Sequence, residues 1–224
     1  MITSPTTVAI MQPYFFPYAG YFRLLTESDL FIVYDCVQFP RRGWVHRNKL
    51  ADQSGTEQWL TLPLVKQPQS VLIKDMLFPV DAATDLAERL CRFPLPARDE
   101  AWKAEVMRRV LGMGPSVLDY LEDTLELVAR RLGLRWNVRR SSEFDIPDTL
   151  RGQDRIIELA RRAGARRYIN APGGVDMYDP EAFGKAGLDL AFLPKYHGAY
   201  GSMLGRILAE DPKALAREIA GGRA

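Results

Sequence analysis

The chain has 224 residues, 47% of them hydrophobic, and a formal net charge of +2. That length suits one sizeable α/β domain of residues 1–224, and the near-neutral charge gives no general reason to expect nucleic acid or an anionic membrane. No run is long enough for a membrane span, Met1–Thr7 lacks the features of a leader, and 2 cysteines are too few for a disulfide framework, so a soluble cytoplasmic protein is expected.

Val8–Met11 is a short β-prone apolar run. Gln12–Tyr21 then places Pro13 and Pro17 among Tyr14, Phe15, Phe16, Tyr18 and Tyr21, which forbids a regular helix. Tyr21–Glu27 reads as a short helix and Asp29–Asp35 as a second buried strand. After a polar turn at 51–56, Gln58–Val65 and Val71–Phe78 read as a hairpin or as an edge ladder attached to the main sheet, with Pro63 at an edge. Helices are expected at Asp81–Cys91, Glu100–Leu111 and Val117–Leu132. Asp81 and Ser116 read as N-caps of the first and third, Asp211 as the cap of the terminal helix, and Gly133 closes the third helix. This region, residues 82–133, interrupts the α/β alternation as a helical insertion or lid. Arg135–Ser141, Arg167–Asn170 and Leu188–Leu193 read as strands. Asp154–Ala163, Pro180–Ala186 and Pro212–Ile219 read as helices, and Gly221–Ala224 as a frayed tail. The alternation predicts an α/β fold: a mostly parallel, Rossmann-like sheet flanked by helices, with a β-hairpin.

In such sheets ligands bind beyond the carboxyl ends of the strands. Asp35 ends the second strand there, as either a catalytic carboxylate or a buried loop cap. Gln38, Arg41, Arg42, Trp44, His46, Arg47, Asn48 and Lys49 follow, donors around an aromatic plate that suit anionic, planar or sugar groups. Tyr14 and Tyr21 are candidates to line the pocket. Asn170-Ala171-Pro172-Gly173-Gly174 leaves a strand at the same edge, with Tyr178 close behind. Gly173 and Gly174 would let backbone amides approach an anion or a sugar. His46 and His197 are the imidazole bases available. With Cys36 and Cys91 they fit no standard zinc spacing, so neither a metal nor a cofactor is expected.

The runs MQPYFFPYAGYF, DLFIVYDCVQFPRRGWVHRNKL, QWLTLPL and YINAPGGVDMYDPEAFGKAGLDLAFL closely resemble the WbqC-like family. Its pattern is roughly MQPYFFPYIGYF, a D-F-V-x-Y-D-D-V-Q-F strand, K-R-G-W-x-N-R-N and W-x-T-L-P-L. His46 stands where that pattern has Asn, Cys36 where it often has Asp, and Gly205 where an Asp is common. Arg47 and Asn48 carry the pattern most directly.

The resemblance implies an enzyme of bacterial surface-polysaccharide or related small-molecule biosynthesis. The leading expectation is an acyl or aminoacyl transferase that forms an amide on a nucleotide-linked amino sugar or similar polar intermediate, with a nucleotide-linked sugar or a carrier-bound acyl group as small-molecule partner. Asp35 or His46 would handle a proton. The set Gln12, Tyr14, Tyr21, Arg42, Trp44, Arg47, Asn48, Asn170, Gly173, Gly174 and Tyr178 would bind substrate. A second expectation is nucleotidyl transfer or ATP-dependent ligation. Tyr18-Ala19-Gly20-Tyr21 occupies the place of an H-x-G-H turn, though without its histidines. A third is a non-catalytic partner of biosynthetic enzymes.

Overall fold

Val8, Ala9 and Ile10 are buried on both sides of the chain, as expected of a strand inside a parallel sheet rather than at its rim. They belong to β1 (Thr7–Met11), the middle strand of a five-stranded parallel sheet. The computed structural model describes residues 6–221, so most of the expected tail Gly221–Ala224 lies outside the described residues.

The described chain divides into two units. One comprises the residues up to Gln12, Gly20–Asp35 and Arg135–His197. The other comprises Pro13–Ala19, Cys36–Leu134 and the residues from Gly198 on.

The first unit holds the parallel sheet. After β1 come a 3-10 turn at Ala19–Phe22, α1 (Arg23–Thr26) and β2 (Leu30–Val33). The unit resumes at β5 (Val138–Arg140), α5 (Gly152–Arg162), β6 (Arg167–Asn170), α6 (Pro180–Lys185) and β7 (Asp189–Phe192). The spatial order is β5-β2-β1-β6-β7, and every pairing is parallel. The chain thus builds outward from β1 to one side and then returns to build on the other. The strand order reverses between β1 and β6, the arrangement of a doubly wound α/β sheet. One face of the sheet presents Val8, Ile10, Leu30, Ile32 and Tyr168. Ile156, Leu159 and Ala160 of α5 and Phe183 of α6 belong to the same apolar cluster. On the alternate positions, Phe31 meets the Tyr21 ring at 5.8 Å.

The second unit holds an antiparallel hairpin, β3 (Arg47–Ala51) and β4 (Glu57–Thr61), with Lys49 opposite Trp59. Its turn is closed by Asp52 Oδ1, which accepts from Ser54 N at 2.8 Å and Thr56 N at 3.0 Å. The sequence suggested a different hairpin, Gln58–Val65 with Val71–Phe78. Instead β4 stops before Pro63, which has no N–H for a ladder, and Val71–Phe78 contains a 3-10 turn at Ile73–Asp75 with isolated bridges on either side.

The unit's helices are α2 (Ala82–Leu90), α3 (Glu100–Leu111), α4 (Val117–Arg131), α7 (Met203–Ala209) and α8 (Pro212–Ile219). Asp81, expected to cap α2, makes no side-chain cap hydrogen bond, whereas the other caps read from the sequence form. Ser116 Oγ accepts from Asp119 N, Asp211 accepts from Ala214 N, and Gly133 takes the positive φ that ends α4. α7 was not read from the sequence. It is held by Arg206, whose guanidinium pairs with Glu210 and Glu218. No helix among the described residues is long and apolar enough to cross a membrane.

Candidate functional site

At the carboxyl edge of the sheet, Ala9 pairs with Ile169 and Met11 with Val33, so β1, β2 and β6 end together. Gln12 follows β1, and Asn170 is the last residue of β6. These two amides flank the point where the strand order reverses. The Gln12 carbonyl accepts from the buried Tyr21 hydroxyl at 2.9 Å, which fixes the backbone as it leaves β1. The Gln12 side-chain amide makes no hydrogen bond to another described group. Asn170 Oδ1 accepts from Ala171 N at 2.7 Å, and its Nδ2 has no hydrogen-bond partner among the described residues.

Gly174 explains how Asn170 keeps that pose. A Cβ at Gly174 would lie 2.5 Å from Asn170 Nδ2 and 3.3 Å from the Tyr178 ring. Around Gly173, by contrast, a Cβ would meet nothing. Tyr178 packs edge-on to Tyr168 and Phe183, with its hydroxyl 3.4 Å from that of Tyr168. Burial raises the Tyr168 phenol well above its ordinary pKa, with the neighbouring Tyr178 and Tyr34 phenols adding to it, so Tyr168 stays neutral.

Asp35 lies at the end of β2 with no exposed surface. Ser141 Oγ donates to Oδ1 at 2.6 Å, Ser142 N to Oδ1 at 2.9 Å, and Ser142 Oγ to Oδ2 at 2.6 Å. Its carboxylate is used to tie β2 to the segment after β5. In this arrangement Asp35 has the contacts of a buried loop cap. The serines gave no signal in sequence, because they are brought to Asp35 only by the β2–β5 pairing.

The tyrosines of the Tyr18–Tyr21 turn are engaged within the protein. Tyr21 spends its hydroxyl on Gln12, Tyr18 stacks on Tyr200 at 4.9 Å, and α1 has only 4 residues.

The remaining candidates lie in the second unit. Asn48 is buried, and its amide is saturated: Nδ2 donates to Phe15 O at 3.0 Å and Phe16 O at 2.6 Å, while Oδ1 accepts from Lys49 N at 2.7 Å. Phe16 sits at φ 43°, a left-handed conformation that costs a non-glycine residue about 1–2 kcal/mol. Asn48, Ser202 Oγ and Met203 N all donate to its carbonyl. Asn48 therefore holds the aromatic turn.

His46 is buried against Phe39, with ring centroids 5.0 Å apart. Burial, and then the Arg47 charge, lower its pKa to about 4, so the imidazole is neutral near pH 7 and a weak base. Arg47 stacks on Trp59 at 4.1 Å and donates to Arg42 O at 2.7 Å. Trp44 meets the same Trp59 at 5.1 Å and is 44% exposed. Arg42 is exposed. Tyr14 is half-buried, and its phenol pKa is raised by burial and then by Tyr18.

A surface groove of about 520 Å³ also lies in this unit, lined by Asp52, Ser54, Gln58, Cys91, Arg92 and Phe93 among others. It contains none of the candidate residues, and its Asp52 is engaged by the hairpin turn. Among the described residues, no group of three His, Cys, Asp or Glu side chains is arranged to hold a metal.

The first unit thus defines a doubly wound, Rossmann-like α/β protein with two side-chain amides at its switch point. The chain belongs to the WbqC-like protein family, whose model matches residues 12–205. It is also 30% identical over 188 residues to the uncharacterized protein Rv1507c of Mycobacterium tuberculosis, covering 79% of this chain and 77% of that protein. No solved structure matches the chain.

Proposed function

We propose that the protein is a transferase of bacterial surface-polysaccharide or related small-molecule biosynthesis, forming an amide on a nucleotide-linked amino sugar. The observation that carries this reading is the pair of amides, Gln12 and Asn170, at the reversal between β1 and β6. A side-chain amide both donates and accepts, which suits the hydroxyl, amide and base edges of such a ligand. The switch point of a doubly wound sheet is where ligands of this kind bind.

In the reaction, the sugar amine attacks the acyl carbonyl of a carrier-bound donor. The new C–N bond forms as the bond to the carrier breaks, and the amine's proton leaves with the carrier thiol or hydroxyl. Asp35 and His46 are not needed for this balance. The protein contributes by holding amine and carbonyl together, an effect worth up to about 7–11 kcal/mol when alignment is good. Thermal unfolding with nucleotide-linked amino sugars, free nucleotides and ATP tests the binding step. A ligand at 100 times its Kd adds about 2.7 kcal/mol of stability. Mass spectrometry of a nucleotide-linked amino sugar incubated with an acyl thioester tests transfer, and the amide is the expected product. Stabilisation by ATP alone, with no response to amino sugars, would overturn the reading in favour of nucleotidyl transfer.

A further inference from the structure

The crossover from β5 to β6 carries α5. A helix that follows a strand in a parallel sheet runs back along it, so α5 begins at the same carboxyl edge as the end of β1. Its start is uncapped: Arg151, at the N-cap, offers no side-chain hydrogen bond to the helix. The N–H groups of Gly152, Gln153 and Asp154 therefore lack the cap that usually satisfies such groups.

One residue further in is Arg155. It lies on the stripe that buries Leu159 and is itself only 6% exposed. Side chains of a helix lean toward its N-terminus, and Arg155 Nη2 is 3.6 Å from Oδ1 of Asp148, a fully exposed side chain on the segment that leads into α5. Its Nε is buried with no hydrogen-bond partner among the described residues. A cation taken out of water needs a close, hydrogen-bonded counter-charge. A solvated carboxylate at 3.6 Å is a poor one.

We propose that Arg155 and the uncapped start of α5 form a phosphate-binding site, occupied by the phosphate end of the ligand. Three backbone N–H groups and the guanidinium supply more donors than the two oxygens of a carboxylate would use, and they suit a tetrahedral oxyanion. The helix dipole adds favourable potential, partly offset by Asp154 in the first turn. The inference rests on the reading above only for the identity of the ligand, since the site itself is defined by α5.

Inorganic pyrophosphate is the probe, with acetate as the comparison, in calorimetric titration and thermal unfolding of the full chain. Pyrophosphate is expected to raise the melting temperature of the wild type, and acetate is not. Arg155→Met should keep or raise the ligand-free melting temperature, because it removes an undercompensated buried charge, and should lose the pyrophosphate response. Asp148→Asn removes the competing carboxylate from an exposed position and should tighten pyrophosphate binding several-fold. An unchanged pyrophosphate response in Arg155→Met would overturn the proposal, as would a lower ligand-free melting temperature with binding intact. If Arg155→Met does not fold, unchanged or weaker binding in Asp148→Asn overturns it. An equal response to acetate overturns the assignment to phosphate. Amino-sugar binding without pyrophosphate binding would sink this inference alone, and pyrophosphate binding without amide formation would sink only the transferase reading.

Discussion

Replacing Asn48 by Ala distinguishes a residue that holds the fold from one that holds substrate. The substitution removes three hydrogen bonds, to Phe15 O, Phe16 O and from Lys49 N. Phe16 O keeps Ser202 and Met203 as donors, so its loss is partial. Phe15 O has no such substitute in the same turn. At about 1 kcal/mol for each bond, with the Phe16 bond largely compensated and a further penalty of about 1–3 kcal/mol where a buried group is left unpaired, the cost is about 3–5 kcal/mol. The left-handed Phe16 loses one of its restraints as well. For a chain of this size the change corresponds to a melting temperature lower by about 6–20 °C. Denaturant unfolding and calorimetry of both proteins would measure it, with intrinsic fluorescence as a second probe because two units need not unfold together. An Asn48→Ala protein with unchanged melting temperature but weakened ligand binding would refute the reasoning and return Asn48 to the binding set.

Asp35→Asn should cost at least as much as one charge-assisted hydrogen bond, about 1.5–3 kcal/mol, because it places an amide against the Ser141 and Ser142 donors. A stable Asp35→Asn protein that has lost turnover would point back to catalysis. His46 has a folded pKa of about 4 against an ordinary 6.5, so the unfolded chain binds the proton first. Stability should fall as pH drops from about 6.5 to 4 and level off below that, by about 3 kcal/mol before solvent screening and by less after it. Unfolding of His46→Phe across that range should show a flatter profile, and an identical profile would contradict the assignment. Gly174→Ala forces a Cβ to within 2.5 Å of Asn170 Nδ2 and should cost about 1–3 kcal/mol while weakening ligand binding. Gly173→Ala, in open space, should do neither.

The parallel sheet was legible because Val8–Met11, Asp29–Asp35 and Arg167–Asn170 carry apolar runs whose burial on both faces is written locally. The Ser116 and Asp211 caps were legible for the same reason, since a cap and its helix are neighbours in sequence. The hairpin was misplaced because Arg47–Ala51 (RNKLA) reads as a cluster of donors. Its strand character comes from pairing with Glu57–Thr61. α7 was missed because Arg206, on its buried face, becomes tolerable there only through Glu210 and Glu218.

The site divides along the same line. The positions of Gln12 and Asn170 at strand ends could be read in advance. The roles of Asp35 and Asn48 could not, because each depends on partners from other parts of the chain: Ser141 and Ser142 for one, and the carbonyls of a strained turn for the other. Arg155 was not singled out, since a single arginine in an amphipathic helix looks like any surface charge until its burial is seen.

Hydrogen–deuterium exchange with and without the nucleotide-linked amino sugar that gives the largest thermal shift tests the location of binding most directly. The reading places the ligand at the carboxyl ends of β1 and β6, so amides of the segments 11–12 and 170–174 should exchange more slowly in its presence. The hairpin Arg47–Thr61 should exchange at an unchanged rate. Protection confined to the hairpin, with the ends of β1 and β6 unaffected, would contradict the account.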